Sequence, residues 1–173
     1  MRSLALGLLC LSALSSPLAA LAATPHHGPF AGAAARGFDA VLLITADGDW
    51  QAKWDTPPEV QPEFTAADTV REGGKLTLLV FVSNMALDAA GSTDILCDYV
   101  VTRPDGTRSL DAQDKPCLRR TLPGDPGNVY LTDNHIEFVA EPGDQRGTWL
   151  VAITVTDRVS GREVPLAGKF ELR

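Results

Sequence analysis

The sequence predicts an all-β protein, an antiparallel β-sandwich with at most one short helix. Over Gly147 to Asp157, Trp149, Val151, Ile153 and Val155 alternate with Leu150, Ala152, Thr154 and Thr156, the period of a strand with one buried face. Ser160-Gly161 supplies turn chemistry, and Val164, Leu166, Phe170 and Leu172 carry a second alternating run back as a hairpin. Upstream, strand-length apolar runs recur between turn signals, so about seven strands are expected. A small closed barrel would use the same alternation.

Taken in order, Met1 to Ala22 has a basic residue at Arg2, an apolar centre from Leu4 to Leu14, and small residues ending in Ala20-Leu21-Ala22. These are the three parts of a secretory signal peptide cleaved after Ala22 or Ala23, so the protein is expected to be periplasmic or secreted. Ser12, Ser15, Ser16 and Pro17 interrupt the apolar run before the roughly 20 residues that a membrane span needs. No later segment is long and apolar enough, and no membrane insertion is expected after cleavage. Cys10 follows Leu9 rather than a small residue, so it reads as part of the removed signal and not as a lipid-anchor site.

Residues 23–37 are rich in Gly, Ala and Pro and read as a flexible leader, leaving residues 38–173 as a single β-sandwich domain. His26 and His27 in that leader suggest copper, but Pro25 supplies no amide hydrogen for the backbone part of such a site. They read as solvated polar residues. The whole chain carries a net charge of −7, one unit more negative once Arg2 is removed. That balance is a poor match for nucleic acid or an anionic membrane surface.

Phe38 to Thr45 is a short continuous apolar run, the first buried strand. Asp47-Gly48-Asp49 follows, and Asp49 is placed to cap one helical turn carrying Trp50 and Trp54 on a common face, ended by Pro57-Pro58. The two tryptophans read as a plug over the core; the competing reading is an exposed aromatic platform for sugar or peptide. The acids of this segment also resemble the opening of a calcium loop. Gln51 and Pro58 stand where an EF-hand would place a further acid and its closing glutamate, which leaves only an irregular calcium site as the alternative to a capped turn.

Glu72-Gly73-Gly74 turns the chain into Leu76 to Asn84, apolar on both faces and therefore a central strand. Met85 to Thr93 is read as loop, and Met85, with no second methionine or histidine near it in sequence, is explained as well by core filling as by copper ligation. Ile95 to Arg103 is the next strand, with Cys97, Tyr99 and Val101 on one face; Pro104-Asp105-Gly106-Thr107 turns it, and Arg108 to Ala112 pairs back. Gln113 to Asn128, with three prolines, reads mostly as loop. His135 to Ala140 forms another strand with Ile136 and Phe138 inward. Pro165 cannot donate to a ladder, which puts the last strand locally at an edge.

With Cys10 removed, Cys97 and Cys117 remain in an oxidising compartment, and they are expected to form a disulfide fastening the Pro-rich loop to a strand. A zinc or copper site from Cys97, Cys117 and His135 is the competing use, disfavoured because thiolates oxidise outside the cytoplasm. His135 has no Gly-x-Ser-x-Gly partner motif, and the chain has no phosphate-cradling loop, Cys-x-x-Cys or His-x-x-x-His. No catalytic residue, cofactor or metal ligand is therefore assigned.

Gly147-x-Trp149-x-Val151-x-Ile153-x-Val155-x-Asp157, between the Glu141-Pro142-Gly143-Asp144 corner and the Ser160-Gly161 turn, resembles the closing strands of bacterial secreted immunoglobulin-like β-sandwich domains. An aromatic residue usually holds the Trp149 position in that family, and the Pro104-Asp105-Gly106 turn is common there. The likeness spans residues 70 to 172; the segment Asp47 to Trp54 departs from it as a decoration. The chain is also similar to uncharacterised exported proteobacterial proteins of like size. The resemblance implies a fold and a compartment but no activity. The expected function is a non-catalytic exported domain that binds another protein or an envelope component. The surface expected to do so is Asp47, Asp49, Trp50 and Trp54 with the loop Lys115 to Asn128. The alternatives are a calcium- or copper-binding periplasmic protein and a hydrolase whose acids converge only in the fold.

Overall fold

A computed structural model describes residues 30–35, 37–57 and 59–173. The expected signal peptide, Cys10, His26 and His27 lie outside them. Among the described residues, ten strands and one helical turn follow in order: β1 (Phe30–Ala35), β2 (Phe38–Thr45), α1 (Trp50–Trp54), β3 (Thr69–Val70), β4 (Lys75–Ser83), β5 (Ser92–Thr102), β6 (Arg108–Thr121), β7 (Tyr130–Leu131), β8 (Ile136–Val139), β9 (Gly147–Asp157) and β10 (Arg162–Leu172).

The hairpin read from the carboxy-terminal pattern is in place. Register runs without a slip from Asp157 opposite Arg162 to Gly147 opposite Leu172, because the apolar set of each strand reaches the core only in that register. Trp149, Val151, Ile153 and Val155 are buried, while Leu150 on the other face is half exposed. Pro165 pairs with Thr154, and the side of β10 away from β9 carries only the two-residue β3, parallel to Glu171 and Leu172. The missing donor therefore faces no ladder.

β10, β9, β5 and β6 run in that order through one sheet with β3 at its edge; β1, β2 and β4 make the other, with β7 and β8 sharing the far side of β4. The two sheets close over a common core in which Phe38, Leu42 and Ile44 of β2 and Leu76, Leu78 and Val80 of β4 meet Ile95, Trp149, Ile153 and Phe170. This is an immunoglobulin-like sandwich: β2, β4 and β7–β8 stand as A, B and E, and β5, β9 and β10 as C, F and G, with β6 beside C as C′. Trp149 stacks on Phe170 and meets Phe138 edge-on at 4.8 Å, and its indole N–H donates to the Gln145 carbonyl at 2.9 Å. The large ring is thus buried with its one polar atom satisfied.

Three expectations are corrected. Residues 30–35, placed in the leader, form β1 against β2, with Ala33 and Ala35 packed on the core; small side chains let this strand lie close to its neighbours. The segment from Gln113 onward is strand as far as Thr121, and Cys117 lies on it rather than in a loop. Leu96 pairs with Pro116 and Ile95 with Leu118, so Cys117 is the extra residue of a bulge that turns its sulfur into the core. The bulge and the edge position of β6 together accommodate Pro116. Cys97 and Cys117 are bonded, with Cα atoms 5.9 Å apart; the bridge joins neighbouring strands of one sheet and leaves neither sulfur for a metal. Asp49 precedes α1 but makes no side-chain cap bond, the third difference, because its carboxylate turns toward Lys53 at 3.6 Å instead.

Candidate functional site

β4 is apolar on both faces, and its second face decides where the site lies. Leu76, Leu78, Val80 and Val82 point between the sheets, so Leu79 and Phe81 point out with Leu43 of β2, forming a second buried apolar cluster on the outside of the sandwich. Three aromatic residues partly roof it: the Trp54 and Phe64 rings lie 5.3 and 5.8 Å from Phe81, and Trp50 stands 5.0 Å from His135. The tryptophans are therefore a plug, as expected, but over this outer cluster rather than the main core. Both remain half exposed.

Asp47 fixes the roof. It accepts the Thr65 amide hydrogen at 2.8 Å and pairs with the Lys53 ammonium at 2.9 Å, tying both ends of the segment 47–65. Partial burial pushes its carboxyl up, but the Thr65 and Lys53 bonds outweigh that and hold it below its ordinary value; the same pairing raises Lys53. Asp47 and Asp49 thus serve this turn and its lysine, with Oδ2 of Asp47 taking both the Thr65 amide and the Lys53 ammonium. Among the described residues no three His, Cys, Asp or Glu side chains converge to hold a metal ion.

The roof leaves clefts around Trp54. One of about 350 Å³ is lined by Val41, Leu43, Trp54, Gln61, Pro62, Phe64, Phe81 and Val129, and Val129 is 58% exposed. A second, of about 330 Å³, opens on the other side of Trp54 toward Trp50, Asp55, Arg120, Asp133 and His135, where Arg120 and Asp133 pair at 3.6 Å. Two larger clefts, of about 510 and 650 Å³, follow the connection past Glu63 and Glu59. Of the surface expected from sequence, Trp50 and Trp54 therefore line clefts, with Arg120 and Asn128 from the segment 115–128 beside them. Sequence reasoning missed Phe64, Phe81 and Val129. The both-faced apolarity of β4 was the available signal, since an outer face with Leu79 and Phe81 needs a cover.

No family model matches the chain, and neither does any curated protein. Among solved structures, it is similar to a family 123 glycoside hydrolase from Clostridium perfringens (9% identity, TM-score 0.46, covering 79% of this chain and 27% of that one). It is also similar to the C-terminal domain of wzt (12% identity, TM-score 0.43, covering 87% and 82%). A third is the CARDB domain of the PF1109 protein from Pyrococcus furiosus, in complex with di-metal ions (12% identity, TM-score 0.39, covering 62% and 81%). The chain spans about a quarter of the hydrolase's length, 27%. At these scores the likenesses carry no assignment of function.

Proposed function

We propose that this protein is an exported, non-catalytic domain that binds another protein or an envelope component on the outer face of the β1–β2–β4 sheet. The observation that carries the reading is the second apolar cluster. Leu43, Leu79 and Phe81 need cover, and the roof of Trp50, Trp54 and Phe64 leaves an apolar cleft with Val129 beside it. A sandwich with such a face has a natural place for a partner to bury apolar surface. The hydrolase alternative finds less support, because Asp55, Glu59, Glu63 and Asp133, the carboxylates lining these clefts, are all exposed and lack the burial that tunes an acid/base pair.

The test is recovery of partners from an envelope extract by the oxidised protein and by Val129→Gln, a substitution at an exposed position that replaces one apolar wall of the cleft with a polar one. Wild type is expected to recover a defined partner and the variant to lose it at unchanged thermal stability. Equal recovery by both would place the surface elsewhere. Turnover of a substrate by a wild type that recovers no partner would overturn the binding reading.

A further inference from the structure

We propose that the partner presents a peptide segment in which a large apolar side chain is flanked by lysine or arginine. This rests on the binding reading above and adds the chemistry of the ligand. The apolar cleft supplies the anchor site: its Trp54, Pro62, Phe64 and Val129 walls offer no charge, and about 350 Å³ accepts a leucine-sized or aromatic side chain. The neighbouring clefts bring acids to its rim. The cleft shares Trp54, Pro62 and Val129 with one lined by Glu59, Phe64 and Pro62 with one lined by Glu63, and Trp54 with one lined by Asp55.

Asp55, Glu59 and Glu63 are exposed, and none has an ion-pair partner among the described residues. The lysine and arginine of these clefts are already engaged by other acids: Lys53 by Asp47 and Asp49, and Arg120 by Asp133. An approaching segment therefore meets three uncompensated carboxylates around an apolar hole, a pattern that repels an anionic lipid surface and attracts a basic, apolar-anchored peptide.

Selection of a displayed library of short random peptides on the oxidised full-length protein tests this. The enriched peptides are expected to pair an aromatic residue or leucine with neighbouring lysine or arginine. Their binding should be lost in Val129→Gln, should weaken roughly tenfold in the triple variant Asp55→Asn, Glu59→Gln, Glu63→Gln, and should fall with added salt. Peptides that need Val129 but show no basic bias and bind the triple variant as well as wild type would overturn the proposed ligand chemistry while leaving the binding face intact. Enrichment of no peptide, with a neutral oligosaccharide protecting Trp54 fluorescence from quenching instead, would overturn the proposal in favour of a glycan ligand. Enriched peptides indifferent to Val129→Gln would overturn the proposal and the binding face together.

Discussion

Replacing Asp157 tests how the two sheets are tied at one end of the sandwich. Its carboxylate is fully buried at the end of β9. Oδ1 accepts the Val159 and Ser160 amide hydrogens at 3.0 and 3.3 Å; Oδ2 accepts the Ser160 hydroxyl at 2.7 Å and the Ala86 amide at 2.9 Å. The first three bonds close the β9–β10 turn, and the fourth holds the chain leaving β4 in the opposite sheet. Alanine strands three backbone donors and a hydroxyl, each costing about 1–3 kcal/mol where water cannot replace the bond. With the rim donors partly recovering water, Asp157→Ala is expected to lose about 3–5 kcal/mol, a large share of a domain's stability. Asparagine separates the parts: its oxygen can serve the turn and its amide can donate to Ser160, so mainly the Ala86 bond is lost, at about 1–2 kcal/mol. Urea unfolding of the oxidised protein followed by tryptophan fluorescence reads both as shifts in midpoint at constant slope. A loss below about 1 kcal/mol for alanine, or equal losses for the two variants, would refute the reasoning.

Removing the disulfide in a Cys97→Ser, Cys117→Ser double variant should cost about 3 kcal/mol in the same assay, from the chain entropy of a loop closed over a sequence separation of 20. Wild type purified without reductant should titrate no free thiol in denaturant. Asp47→Ala should release the segment 47–65, so that the Thr65 amide exchanges quickly with deuterium while β4 amides keep their protection; uniform loss across β4 would mean that the roof holds the sheet as well. Asp105 accepts bonds from the Gln145 amide, the Thr107 hydroxyl and the Thr107 backbone, which hold its carboxyl at about 2 against an ordinary 3.8. A depressed value stabilises the fold above the ordinary value and is lost as pH falls through the folded one, so this turn should loosen between about pH 4 and pH 2. Gln145→Ala should raise the Asp105 midpoint in a carboxyl-carbon NMR titration; an unchanged midpoint would show that Gln145 is not the cause.

The pairing of a local signal with a tertiary outcome varies along the chain. Trp149 to Val155 declared their buried face by alternation alone, because a strand with one wet face has only one way to hide four large side chains. The Pro104 to Thr107 turn was equally legible: Gly106 takes a positive φ of 85°, and the Arg103 and Thr107 backbones close the hairpin. β1 was not legible, since Phe30–Ala35 lacks the alternation of large apolar and polar residues that marks a half-buried strand and becomes one only because the edge of β2 is there to pair with. The strand at Cys117 was hidden for the opposite reason. Pro116 is turn-like in isolation, and only an edge strand with a bulge can carry it.

By itself the sequence determined the all-β class, the carboxy-terminal hairpin, β2 and β4 as buried strands, the buried face of β9, and the identity of the two cysteines that pair. These follow from short-range periodicity and from elimination. Tertiary structure decided that the cysteines lie on adjacent strands, that Asp157 reaches across to Ala86, and that Trp54, Phe64, Phe81 and Val129 meet on the outside of one sheet. Those residues come from a helical turn, an irregular connection, a central strand and a distant loop, and no local pattern encodes their approach. It is set by the apolar second face of β4, which must be covered by whatever the chain can lay across it.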